Sequence, residues 1–273
     1  MPTPTSPSKN SSGSSSSSAR KPLLYGAVVV LAAGLLGFVS YRATAPDSGS
    51  GSVDTSASAP AAEVSTDPEE GVYPELAKLA RRDAGDKLAQ GRADAPVVLI
   101  EYADFKCGYC GKFARDTEPE LIEKYVENGT LRIEWRNFPI FGEESEAAAR
   151  AAWAAGQQDR FWQFHEAAYA EGAKEKGFGK DRLKALAQQA GVKDVDRFMT
   201  DLDGSAARAA VSKDQEQAYG IGATSTPSFL INGRPIAGAQ PMEAFTQAIE
   251  TAAEKAKSTG AGTGTGNAGN SAK

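Results

Sequence analysis

The chain has 273 residues and a formal net charge of −5, enough for one or two ordinary domains. Its charges are interspersed with no basic stripe, so nucleic acid is not an expected partner. Two cysteines and one histidine are too few for a disulfide-stapled fold or a conventional four-ligand zinc site, so neither a metal nor a cofactor is expected.

Residues 1–20 are mostly Ser, Thr, Pro and Asn and cannot bury enough surface to offset chain entropy, which predicts a disordered tail. Leu23 to Tyr41 then reads LLYGAVVVLAAGLLGFVSY without a charge. As a helix it is about 28 Å long, close to the hydrocarbon thickness, and predicts a transmembrane anchor over residues 22–42. Lys9, Arg20 and Lys21 precede it, while Asp47, Asp54 and Glu63 follow. That bias, opposed only by Arg42, predicts a single pass in the cell membrane, with the N-terminus cytoplasmic and the large domain outside. A cleaved signal peptide is the alternative, with ATAPDSG as the cleavage region, but the apolar run exceeds the usual core of about 7–15 residues. Either arrangement exports the domain to a compartment where disulfides persist. Residues 43–70 form a disordered linker with a reach of roughly 30 Å. The folded domain is expected over 71–257, and 258–273 as a disordered tail.

Within the domain, Tyr73–Arg82 suggests a short helix. Pro96–Phe105 (PVVLIEYADF) is an apolar, β-branched run that predicts a buried strand. Gly111–Asn128 has a helical pattern ended by Gly129, and Pro119 inside it should kink or break the helix. Leu131–Phe138 alternates apolar and polar residues, a second strand. Strand, helix, strand in so short a stretch is a βαβ unit with parallel strands. Five amphipathic segments follow: Ser145–Gln157, Phe161–Ala170, Asp181–Gln189, Val195–Leu202 and Ala206–Tyr219. They make a helical insertion over about 142–222. Pro227–Asn232 returns to strand character, Gly233 suggests a hairpin turn into Arg234–Ala237, and Met242–Ala256 is a last helix.

The chemistry concentrates at Cys107-Gly108-Tyr109-Cys110. One helical turn separates the cysteines, which puts both on one face at a separation a disulfide can span. The first sits where unpaired amides and the positive helix end stabilise a thiolate. A stabilised thiolate leaves readily, so the bonded pair can oxidise other thiols. Gly108 should leave the sulfur of Cys107 open, and Tyr109 should cover the second cysteine or contact substrate. Two bland alternatives are half of a zinc site completed by carboxylates and an inert local disulfide. The motif's position after a buried strand and before a helix favours redox chemistry. His165 lies in FWQFHEAAY, among aromatics that mark a packed residue rather than the base of a cysteine hydrolase. Glu101 should point into a buried region and accept a proton from Cys110. Asp104 reads as a cap or partner of the helix start.

ADAPVVLIEYADFKCGYC, NFPIFGEESEAAARAAWAA, FWQFHEAAY and GATSTPSFLING, in that order, resemble the DsbA family of thioredoxin-fold thiol–disulfide oxidoreductases, in its membrane-anchored actinobacterial type. The resemblance covers roughly Leu88 to Ala256. It implies an α/β thioredoxin-like fold (β-α-β … β-β-α) with a helical subdomain inserted between the second and third core strands. It makes Cys107 the exposed attacking sulfur, Cys110 its buried partner and Glu101 the family's buried acid. Thr226-Pro227 matches the family's cis-proline loop, whose backbone would pair with an extended substrate segment. The best-known oxidants of the family carry Pro-His between the cysteines; the Gly-Tyr here removes one thiolate stabiliser.

The expected activity is oxidation of exported proteins with free cysteines. A membrane quinone-linked oxidase, implied by the resemblance, would recycle the pair. A reductase or isomerase working on the same proteins is the first alternative, and a non-catalytic, chaperone-like binding module is the second.

Overall fold

The structure, a computed structural model, describes residues 71–262. The tail expected over 1–20, the anchor over 22–42 and the linker over 43–70 lie outside the described residues. Among those described, no helix is long and apolar enough to cross a membrane.

A short helix α1 (Pro74–Ala77) leads to an edge strand β1 (Ala89–Gln90) and the central strand β2 (Val97–Ala103). A continuous helical run follows, made of α2 (Gly108–Lys112), a π-helical turn (Phe113–Thr117), α3 (Glu118–Leu121) and a second π-helical turn (Ile122–Val126). Strand β3 (Leu131–Asn137) closes the βαβ unit. The insertion holds α4 (Glu143–Gly156), α5 (Phe161–Tyr169), α6 (Lys180–Gln189), α7 (Val195–Asp203) and α8 (Ser205–Gly220). Strands β4 (Ser228–Ile231) and β5 (Arg234–Ala237) and helix α9 (Met242–Gly262) complete the domain.

The sheet order is β1-β3-β2-β4-β5. Strands β2 and β3 are parallel and all other pairings are antiparallel. This is the expected thioredoxin-like order with one strand added at the edge. Asn232 (φ 45°) and Gly233 (φ 89°) form the β4–β5 turn, since a two-residue hairpin of this hand needs both φ angles positive. A Cβ at Gly233 would also lie 2.5 Å from the Tyr73 carbonyl oxygen.

Four elements depart from expectation. The first helix spans only Pro74–Ala77, because the chain beyond it is drawn onto the sheet by Glu134. Pro119 opens α3 rather than kinking a regular helix, and the helical run absorbs the disruption in its two π turns. Strand β1 is too short to carry a period. Helix α9 continues past Lys257 to Gly262.

Three apolar clusters fix the architecture. One packs the Ala-rich face of α4 and the aromatics of α5 around Phe105, Trp135 and both cysteines. A second sits between the sheet, the helical run and α9, around Phe113, Phe229 and Phe245. The third covers the opposite sheet face at Val98, Ile100, Tyr102 and Leu230.

The alternation in β3 ordinarily signals one solvated face. Here Arg132, Glu134 and Arg136 are all buried. Glu134 accepts hydrogen bonds from the Arg81 and Arg82 amides (both 2.8 Å), from Arg132 Nε (2.9 Å) and from Arg136 Nη2 (2.8 Å). Asp214 of α8 binds the Arg81 guanidinium and the Asn137 amide. Those amide and guanidinium donors outweigh burial and hold the Glu134 carboxyl down to about 2. Removing one partner of a buried ion network leaves the others uncompensated. Glu134→Gln should therefore lose about 3–5 kcal/mol of unfolding free energy in denaturant titrations. The lowered value means the native carboxylate stabilises the fold above pH 4.5 and loses that contribution as the pH falls towards about 2. The acid limb of the wild-type stability curve should accordingly flatten in the variant.

Candidate active site

The loop after β2 is set by Asp104. Its carboxylate accepts the Lys106 amide (2.7 Å) and the Ile140 amide (2.7 Å), and the Ser145 hydroxyl also donates to it. Its own carbonyl accepts the Cys107 amide at 3.0 Å. One carboxylate thus ties the start of α2 to the entry of the helical insertion.

Cys107 occupies the N-cap of α2 with extended backbone (φ −74°, ψ 122°), and its Sγ accepts the Cys110 amide at 3.5 Å. As a thiol it donates to the Thr226 carbonyl oxygen at 3.2 Å. The Thr226-Pro227 peptide is cis and lies in the loop before β4. Both cysteines are free thiols.

The expected exposure of Cys107 is corrected: only 6 % of its surface is accessible. The Thr226 loop lies against its sulfur, and Lys174 reaches over Gly108, with Nζ 3.3 Å from where a Cβ would stand. Gly108 therefore admits a lysine beside the largely covered sulfur. Access is through a pocket of about 190 Å³ whose walls include Phe105, Gly108, Arg115, Tyr169 and Lys174. Tyr109 is 68 % exposed. It does not cover Cys110, which is fully buried, and it is free to contact a substrate.

The two sulfurs differ electrically. The Cys107 thiol is brought down to about 6, chiefly by a hydrogen bond from Cys110, against burial, with help from the Cys110 and Tyr109 amides. Burial first, then its bonding to Cys107, pushes Cys110 well above the usual thiol range. At neutral pH such a pair holds one nucleophilic sulfur and one protonated reserve.

Glu101 lies where expected. It is fully buried in β2, and both its oxygens lack a partner among the described residues. Burial, then the charges of Glu118 and Cys107, raise its carboxyl well above the usual range. His165 is buried among Trp135, Trp162, Phe105 and Tyr169 and held down to about 3 by burial, hence neutral. Its Nδ1 lies 3.7 Å from Glu118 Oε2. Among the described residues no cluster fit to hold a metal ion is present.

Comparison with known proteins follows the same lines. The thioredoxin family profile matches residues 83–251. A probable disulfide bond formation protein D of Bacillus cereus is 33 % identical over 165 residues, which cover 56 % of this chain and 76 % of that protein. The chain belongs to the DsbA family of thioredoxin-fold thiol–disulfide oxidoreductases. Oxidised BdbD from Bacillus subtilis aligns with a TM-score of 0.57 at 23 % identity, over 61 % of this chain and 92 % of that one. Wolbachia pipientis α-DsbA1 aligns with a TM-score of 0.55 at 23 % identity, over 63 % and 93 %. At that identity the solved structures speak for the fold alone.

Sequence reasoning for this oxidoreductase missed Glu118. It reads as one surface acid in a helix rich in them, yet it is buried just after a π turn. It also missed Lys174, which lies far along the chain in the insertion.

The thiol asymmetry is measurable. Thiolate absorbance of the reduced oxidoreductase should titrate with a midpoint near 6 that disappears in Cys107→Ser, and alkylation at pH 7 should label Cys107 but not Cys110. A folded thiol below its ordinary value of 9.0 gives up its proton before the unfolded chain does. The stability of reduced wild type relative to Cys107→Ser should therefore rise as the pH increases from about 6 to 9.

Proposed function

We propose that this oxidoreductase is an oxidant of exported proteins, working through a Cys107–Cys110 disulfide outside the cytoplasm. A substrate thiolate attacks Cys107 Sγ and Cys110 leaves. A second substrate thiolate then attacks the mixed disulfide, releasing oxidised substrate and the reduced dithiol. The Thr226-Pro227 loop offers backbone to an extended substrate segment beside Cys107, and Gly108 and Tyr109 form the rim. Glu101 exchanges a proton with Cys110.

The observation that carries the reading is the opposite treatment of two sulfurs one turn apart, Cys107 brought down to about 6 and Cys110 pushed well up. A thiolate stabilised in the dithiol form makes the disulfide easier to reduce, hence more oxidising.

In this proposal residues 22–42 anchor the enzyme, the tail 1–20 stays cytoplasmic, and the linker 43–70 lets the catalytic domain, which extends to the end of α9, work near the membrane surface. A quinone-linked membrane oxidase restores the disulfide. The uncharged run Leu23–Tyr41 with Arg20 and Lys21 before it supports that orientation.

The test is titration of the cysteine pair against glutathione alongside refolding of a reduced, disulfide-requiring protein. We expect a potential above about −200 mV and catalysed oxidation that Cys107→Ser abolishes. A potential below about −250 mV would mark a reductase instead. Refolding assistance undiminished in Cys107→Ser would mark a binding module. Protease added outside intact cells should remove the domain while sparing residues 1–20.

A further inference from the structure

Behind the cysteine pair lies a group of buried polar atoms that the protein leaves unpaired. Among the described residues, both Glu101 oxygens, Glu118 Oε1, His165 Nε2 and the Tyr169 hydroxyl have no hydrogen-bond partner. All four residues are buried. Their convergence follows from the register of the sheet. Glu101 is paired with Trp135 of β3 and Phe229 of β4, and side chains paired across strands share one face. On that face the Trp135 ring lies 5.0 Å from His165 and the Phe229 ring 4.6 Å from Phe113. Glu101 therefore faces the helical run and α5. Glu118 comes from the helical run, its Oε2 3.7 Å from His165 Nδ1. The π turn Phe113–Thr117 widens the spiral just before it, shifting the face on which Glu118 emerges. Inserted π turns of this kind recur at functional sites.

Among the described residues, nothing cationic offsets the burial of these two carboxyls. Arg115, on the π turn, commits Nη1 to the Tyr169 carbonyl oxygen at 2.7 Å. Burial keeps His165 neutral. The other titratable groups that act on the site are Cys107 and Cys110 of α2, Tyr169 of α5 and Asp104 of the loop after β2. Asp104 has its oxygens occupied by amides and a hydroxyl, while β3 and β4 present Trp135 and Phe229. Two interacting carboxyls in such a place do not both ionise. Burial raises Glu118 to about 8, and the charge of Glu118 adds to the rise of Glu101.

Resting on the oxidant mechanism above, we propose that Glu118 is a positioning residue: the resting pair holds two protons, and once Glu101 has given one to Cys110 the two carboxyls share the other. As a substrate thiolate forms its bond to Cys107 Sγ, the Cys107–Cys110 bond breaks and its electron pair stays on Cys110. Glu101 gives its proton to that thiolate. The negative charge then rests on a carboxyl pair that still holds one proton, that of Glu118. In the reverse step Cys110 returns its proton to the pair as its thiolate attacks Cys107. The disulfide is the only oxidant required.

The experiment follows the rate of disulfide reduction by dithiothreitol, corrected for its thiolate fraction, against pH. The full chain is compared as wild type, Glu118→Gln, Glu101→Gln and the double variant. Removing the carboxyl that shares the remaining proton should raise the midpoint of the profile by about one unit. The same change in the Glu101→Gln background should leave the profile unmoved. An unmoved midpoint in the single variant overturns the proposal. So does an equal shift in both backgrounds, which would mean that Glu118 acts on the sulfurs directly. Infrared spectra at neutral pH add a readout independent of turnover: a protonated-carboxyl band should weaken in either single variant and vanish in the double. Its persistence in the double variant also overturns the proposal. Glu118→Met removes the same carboxyl in a side chain suited to the apolar surroundings and serves if the amide variant does not fold. Failure of every protein, wild type included, to react with thiols would sink the oxidant mechanism instead, while the infrared bands still report on the shared proton.

Discussion

The catalytic half of the molecule depends on one sulfur at the first turn of a helix being cheaper to ionise than its neighbour one turn on. Cys107 has the Cys110 thiol and the Cys110 and Tyr109 amides to share its charge. Cys110 has burial and a charged neighbour against it. Everything around the pair preserves that difference. Asp104 fixes where the helix begins, the Thr226-Pro227 loop holds the first sulfur from outside, and the aromatics of α5 keep the second one dry.

The same sheet treats two glutamates in opposite ways, and the cause is what faces each. Glu134 looks onto the Arg81–Arg82 amides and two arginines and stays ionised in the interior. Glu101, also on a central strand, looks onto aromatics, another carboxyl and two thiols and is raised instead. Burial alone raises both. The donors decide the outcome, so one face of the sheet is a fixed charge clamp and the other is suited to exchanging protons.

Much of this could be read in the residues. The apolar run before Cys107, the alternation of Leu131–Phe138 and the spacing of the Ala-rich helices carry the β-α-β frame and the insertion, because burial imposes a period on the chain. Thr226-Pro227 and Glu101 were legible through resemblance and spacing. What escaped were features set by tertiary contact. Arg132, Glu134 and Arg136 look like a solvated face until Arg81 and Asp214 come from distant parts of the chain to cover them. Glu118 is an interior acid that follows a change of helical pitch no local pattern announces. Cys107 loses its exposure to a lysine and a loop that lie, respectively, sixty-odd and more than a hundred residues away.

The lysine over Gly108 bears on how such an enzyme can be altered. Its ammonium group occupies the ground where a larger first residue of the dipeptide would put its side chain. The motif and the turn around Lys174–Lys176 are therefore coupled in space, although they lie far apart in the chain. Transplanting a bulkier dipeptide from another member of the family would evict that ammonium group, so altered redox behaviour in such a chimera would reflect a rearranged gateway as well as the grafted residues.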